Sequence, residues 1–273
     1  MAITTRDELI DALGNNSSRI LFDKASLASA VAGQYFSLFK ATGFPTAGTN
    51  PTTAAACDQS TVGAMTFANQ TAPAKSYLAY LFAAGGNALT NLDIVDRLAH
   101  MGGLSGTVIT AQTVNLDPVA LGVSADRYGA ADLTDIQWWL EIYTALGATG
   151  VNATVNVDYT DASSGNLSVI ALGATPRQGR IYPLNALAAA GKVIEKINSV
   201  TLSATTGTAG DFGFSCTRNR TAVAMPVANY STVADWAQLG LPAIANDSCL
   251  MFTMLCSTTS TGTIRGGGKI AHG

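Results

Sequence analysis

Hydrophobic and polar positions follow a helical period at the start of the chain and a period of two after Pro73. Thr5-Arg-Asp-Glu8 has the make-up of a helix start: a capping Thr, then acids in the first turn. Leu9, Ile10 and Leu13 share one side, and Gly14-Asn-Asn16 ends the run. Ser26 to Lys40, with Leu27, Val31, Phe36 and Phe39 apolar, reads as a second helix interrupted by Gly33. From Gly43 to Ala72 the chain is Ala, Thr, Pro and Gly around Cys57, too poor in large apolar groups to hold a core of its own. Residues 1–72 therefore read as a partly helical arm docked on something larger.

Beyond Pro73, short apolar runs alternate with turn residues. Ser76 to Ala84, Leu92 to Leu98, Thr107 to Val114, Ile136 to Leu146 and Val151 to Tyr159 read as strands, although Asn91 to Met101 also fits a helix. Gly147 to Gly150 between two such runs predicts a hairpin, and Asp161 to Gly165 another turn. Leu167 to Leu172, Arg180 to Leu184, Ile197 to Ala204, Phe212 to Thr217 and Leu250 to Cys256 complete the set, with Ala186 to Lys196 as a loop or short helix. In the last strand Leu250, Phe252, Met254 and Cys256 form one face and Met251 and Leu255 the other. Apolar on both faces means a central or interface strand. The fold class expected is mainly β: an antiparallel sandwich, jelly-roll-like, over 73–273, with the arm before it.

Charge changes this picture most. Only 12% of the residues are Asp, Glu, Lys or Arg, about half the ~25% usual in soluble domains. Eighteen acids and fifteen bases cannot cover a free surface of this size, which points to a surface that meets other subunits. A net charge of -3 offers no basic stripe for nucleic acid. No apolar run approaches the ~20 residues of a membrane helix. The N-terminus lacks the basic and apolar regions of a signal peptide, so assembly in a reducing cytoplasm is expected.

No reaction centre stands out. His100 and His272 are the only imidazoles, and His272 lies where chains fray. Asp96 and His100 would pair on a helix; on a strand they share a face but stand too far apart to touch. Gly266-Gly-Gly268 lacks a following helix, and no nucleophile elbow or P-loop occurs. Asp158, Asp161, Ser163 and Ser164 lack the spacing and closing Glu of a Ca²⁺ loop, so a hairpin turn is the plainer reading. With no CxxC and two histidines, no zinc site is expected. The expectation is no enzyme, no cofactor and no metal.

Cys57, Cys216, Cys249 and Cys256 do not make a disulfide framework. Two readings stay open: four buried or unpaired thiols, or an intersubunit disulfide, with Cys57 in the loose arm best placed to reach a neighbour. Trp138 and Trp139 face opposite ways on a strand. One belongs to the core, and the other is an interface anchor or a sugar platform. Phe36 and Phe39 join them as candidate interface residues.

Asp96-Arg-Leu-Ala-His-Met-Gly-Gly-Leu-Ser-Gly-Thr-Val-Ile-Thr-Ala-Gln-Thr113 resembles a segment of virion structural proteins of tailed bacteriophages. Trp139 to Gly147 with the alternating Val/Thr strand after it, Ser199 to Gly213, and Cys249 to Thr263 are similar too. Phe39-Lys-Ala-Thr-Gly-Phe-Pro45 extends the likeness into the arm, so it covers most of the chain. The resemblance implies a virion component assembled in the host cytoplasm, most simply a capsid decoration or cement protein. Its partners would be copies of itself and the major capsid protein. A neck, collar or tail component, or a carbohydrate-binding module of a receptor-binding structure, is the alternative.

Overall fold

Antiparallel strands account for nearly all regular structure in the computed structural model, which describes residues 2–29 and 31–273. In chain order they are β1 (Ser17–Lys24), β2 (Tyr35–Ser37), β3 (Gly43–Phe44), β4 (Ala55–Ala56), β5 (Ser76–Gly85), β6 (Thr90–Leu104), β7 (Gln112–Leu116), β8 (Ile136–Thr144) and β9 (Val151–Tyr159). Then come β10 (Ser164–Asn166), β11 (Ile170–Gly173), β12 (Ile181–Pro183), β13 (Ile194–Leu202), β14 (Asp211–Met225), β15 (Ser231–Asp235), β16 (Ala243–Ile244), β17 (Leu250–Leu255) and β18 (Ile264–His272). Helices are short: α1 (Arg6–Asn15), α2 (Ala125–Tyr128) and α3 (Trp236–Leu239). The mainly β class expected from the sequence is the one found.

The central sheet runs β12-β8-β14-β6-β17-β2, with β4 beside β6. Its two long strands, β6 and β14, are the spine of the molecule. One half of the spine packs on a sheet of order β10-β9-β13-β7, with β11 beside β9. Leu98, Trp138, Leu140, Phe212 and Phe214 meet Ala153, Val155, Val157 and Val200 across that core. The other half packs on the sheet β15-β5-β18-β1-β3, with β16 beside β5. There Leu92, Ile94, Phe252 and Met254 meet Ile20, Phe22, Leu78 and Leu81.

The predicted hairpin between residues 136–146 and 151–159 is not one. β8 and β9 are separate layers that face each other across a core, and Gly147 to Gly150 carries the chain over. Both runs are apolar on their inner face, and periodicity alone does not choose between pairing and facing. The Asp161 turn does close a hairpin, Ser164 opposite Asp158. β17 is as expected: Leu250, Phe252, Met254 and Cys256 enter one core and Met251 another, between β6 and β2.

Residues 1–72, expected as an arm docked on the rest, are woven into its sheets. β1 pairs along its whole length with β18, and β2 pairs with β17, so the expected boundary at 72 is crossed by sheet ladders. The accessible surface, 11192 Å², matches the ~11,000 Å² that area scaling gives for a compact chain of 28.0 kDa. α1 begins with the expected cap: the Thr5 hydroxyl accepts from the Glu8 N–H, and the Glu8 carboxylate accepts from the Thr5 N–H. Leu9 and Ala12 are its buried residues, whereas Ile10 is exposed. The second helix over 26–40 does not form among its described residues. Gly33 takes φ +77°, and Phe36 and Leu38 enter one core while Phe39 enters another. That alternation suits a strand.

The glycine triplet sits in the middle of β18, between β1 and β5. A Cβ on Gly266 would lie 2.1 Å from the Phe82 carbonyl oxygen, and one on Gly268 2.3 Å from that of Tyr80. The triplet is there for close approach of backbones, not for a ligand. His272, expected to fray, is buried between the Ser18 and Ser76 hydroxyls at 2.7 and 2.9 Å.

Candidate functional site

A gap between two strands that share one edge of β6 organises the chemistry-bearing residues. β4 and β17 lie end to end along the same edge of β6. Cys57 N–H donates to Leu98 O at 2.9 Å, and Arg97 N–H donates to Cys249 O at 2.9 Å, so the two cysteines flank the gap. Arg127, delivered by α2, bridges it. Its Nη1 donates to Cys57 O at 2.6 Å and its Nη2 to Arg97 O at 3.0 Å. Its Nε and Nη2 also grip the Asp96 carboxylate at 3.1 and 2.6 Å. Asp96 in turn accepts the Cys249 N–H at 2.9 Å and a second guanidinium, Arg220 Nη2, at 3.1 Å. Side chains thus replace the ladder bonds that a continuous strand would supply.

On the other side of the same stretch of β6, Arg97 Nη1 meets Glu141 of β8 at 2.8 Å, and Nη2 donates to the Tyr143 hydroxyl at 2.7 Å. The Ser215 hydroxyl donates to the Glu141 carboxylate at 2.8 Å. The guanidinium lies over the Phe39 ring, 4.4 Å from its centroid, and 3.2 Å from His100 Nδ1. Burial opposes the Arg97 charge, but Glu141, Tyr143 and Cys57 together outweigh it and the group is held more firmly protonated than a free arginine. Burial likewise pushes the Tyr143 hydroxyl up.

Cys57 faces the Cys249 thiol and the His100 ring. Burial alone would raise its pKa; the Cys249 thiol, His100 and Arg97 together hold it well below the ordinary thiol range, while burial raises Cys249. A thiol beside an imidazole is the raw material of a nucleophile. Here both are enclosed: Cys57 is fully buried and His100 nearly so. The cluster has no access for a substrate, and its residues hold one another.

All four cysteines are free and buried. The intersubunit disulfide expected as one reading fails on that ground, since Cys57 lies beneath the chain and not in a loose arm. Cys216 and Cys256 are apart from the gap, their thiols pushed up by burial, Cys256 to about 11. The candidate interface residues are also inside. Trp138, Phe36 and Phe39 are buried, and Trp139 reaches the surface by 8% of its area, its Nε1 held by Thr217 at 2.9 Å. Neither tryptophan is a platform for a sugar.

The sequence missed what is exposed. Leu89 (81%), Tyr230 (72%), Val227 (56%) and Val233 (51%) stand out together. They lie on the adjoining β5–β6 and β14–β15 turns, tied by Asn229 N–H to Gly85 O at 2.7 Å, and on the outer strand β15. Five charged residues, Lys24, Asp96, Arg97, Arg127 and Glu141, are inside the fold, so the surface is poorer in charge than the composition suggests. Among the described residues no group of three His, Cys, Asp or Glu side chains is placed to hold a metal ion, and no helix is long and apolar enough to cross a membrane.

No family model and no curated protein matches the chain. Among solved structures, the VP2 subviral particle of infectious bursal disease virus aligns at 9% identity over 94% of this chain and 80% of that one, with a TM-score of 0.17. The Gx strain of the same virus aligns at 12% identity over 94% and 81%, with a TM-score of 0.16.

Proposed function

We propose that the chain is a structural subunit of a virus particle and, within that class, a decoration or cement protein on the head of a tailed bacteriophage. The observation that carries the reading is the exposed apolar group Leu89, Val227, Tyr230 and Val233 on an outer strand of a charge-poor molecule. Scattered single apolar residues are ordinary on a surface, but four together on adjoining turns and a free strand edge are the marks of a contact surface. Burying such residues at ~25 cal/mol per Å² gives a modest contact that accumulates over many symmetric copies.

The phage-like segment supports the same reading in a different way. Its Asp96, Arg97 and His100 are the residues of the buried cluster, so what it shares with virion proteins is a frame and not an exposed site. The sugar-binding alternative loses its ground with Trp138 and Trp139 inside. The proposed partners are copies of this chain and the major capsid protein. Co-sedimentation with heads assembled without this protein tests the reading. Wild type should pellet with them, and Tyr230→Lys with Val227→Asp should remain in the supernatant while keeping the wild-type melting temperature. Equal pelleting of the variant would remove this surface from the contact.

A further inference from the structure

A second surface has the opposite character. β14 carries an extra residue opposite β6: Arg218 pairs with Asp96, Asn219 with Val95 and Thr221 with Ile94, which leaves Arg220 unmatched. Such a bulge re-aims side chains. Here it places Arg218 and Arg220 at a cleft of about 670 Å³ between the 70–76 and 242–246 segments. Gln70 and Asn246 fasten these rims, with Gln70 N–H donating to the Asn246 side chain at 2.9 Å and Asn246 Nδ2 to Gln70 O at 2.8 Å. The cleft is preformed.

Its charge is unbalanced. Asp96 is the carboxylate for both Arg127 and Arg220, whose side chains are 5% and 6% exposed, so one buried anion serves two buried cations. Arg220 Nε has no hydrogen-bond partner. Burial weakens the Arg220 charge, Asp96 restores part of it, and repulsion from Arg218 and Arg127 adds to the loss. Arg218 leans on the half-exposed Asp135 at 3.0 Å. Lys75, exposed on the rim, makes no ion pair among the described residues. Against these cations the lining offers the single carboxylate Asp126, in a chain whose net charge is -3. The walls beside them are apolar: Pro73, Pro242 and Ile244.

We infer that this cleft binds an acidic peptide segment, a carboxylate side chain meeting Arg220, Arg218 and Lys75 while the neighbouring residues lie on Pro73, Pro242 and Ile244. A second anion beside Arg220 supplies the charge that Asp96 divides between two guanidiniums. The volume lies in the range of ligand sites, ~300–1,000 Å³, and exceeds what one small inorganic ion fills. The inference does not depend on the particle assignment.

Isothermal titration of the full chain tests it, with the blocked pentapeptide Ala-Asp-Leu-Asp-Ala, its Asn-for-Asp analogue, and inorganic phosphate as separate titrants. The acidic peptide should bind saturably, and Arg220→Gln should weaken it on the order of tenfold or more. Lys75→Gln and Arg218→Gln alter exposed or partly exposed groups and spare the buried Asp96 carboxylate; each should weaken binding and flatten its salt dependence. No saturable binding, equal binding of the Asn analogue, binding of phosphate without the peptide, or unchanged affinity in Lys75→Gln and Arg218→Gln would overturn the proposal.

Discussion

Replacing Asp96 with Asn changes few atoms and removes the anion on which two buried arginines depend. The carboxylate makes four contacts: Arg127 through Nε and Nη2, Arg220 through Nη2, and the Cys249 N–H. An Asn oxygen keeps one acceptor side, but its amide sets N–H groups against a guanidinium that has only N–H groups to offer. Removing one member of a buried pair costs about 3–5 kcal/mol because the remaining charge is left in the interior. That is a large part of the ~5–15 kcal/mol by which domains are stable. At about 2–4 °C per kcal/mol for chains of this size, the melting temperature should fall by about 10 °C. Thermal unfolding followed by far-UV circular dichroism, with urea midpoints alongside, measures the loss. Asp23→Asn is the matched control: its partner Arg265 lies at 3.1 Å, but both side chains are more than half exposed, and no resolvable change is expected. A fall of less than ~2 °C for Asp96→Asn would refute the view that the pair closes the gap between β4 and β17.

Gly268→Ala drives a Cβ onto the Tyr80 carbonyl and should cost about 1–3 kcal/mol by urea denaturation; an unchanged midpoint would deny the close approach in β18. All four cysteines are buried, so the native protein should give no reaction with Ellman's reagent and four thiols after unfolding; fast labelling of Cys57 in the native state would count against its placement. Burial holds the His272 imidazole below its ordinary 6.5, so on acidification the unfolded chain takes this proton first. The stability linked to His272 is complete above that pH and is lost as pH falls through the lowered native value. Urea midpoints between pH 7.5 and 5 should therefore decline less in His272→Gln than in wild type, and parallel slopes would contradict it.

Local patterns carried far in this chain, and pairing did not. The α1 cap, the alternating valines of β9 and the two apolar faces of β17 were legible because each is written in neighbouring residues. β18 was illegible: its glycine triplet carries no strand signal until β1 and β5 close around it, and only then does the lack of a Cβ become a requirement of packing. The layering of β8 against β9 depends on β14 and β13, which come later in the chain and pair with each in turn. Asp96 and His100 could be named as chemistry-bearing, but Arg97 gave no such signal and the partners Arg127, Glu141 and Arg220 are distant in sequence. One signal pointed inward. Glu141 interrupts the apolar run from Trp138 to Tyr143, and a carboxylate at such a position needs a buried cation.

The particle itself offers the most direct test of the proposed role. Cryo-electron microscopy of the intact virion should place this mainly β fold on the outside of the head, repeated over the capsid lattice, with Leu89, Val227, Tyr230 and Val233 covered by a neighbour. Density at the neck or tail alone, or heads without this chain, would contradict a decoration protein.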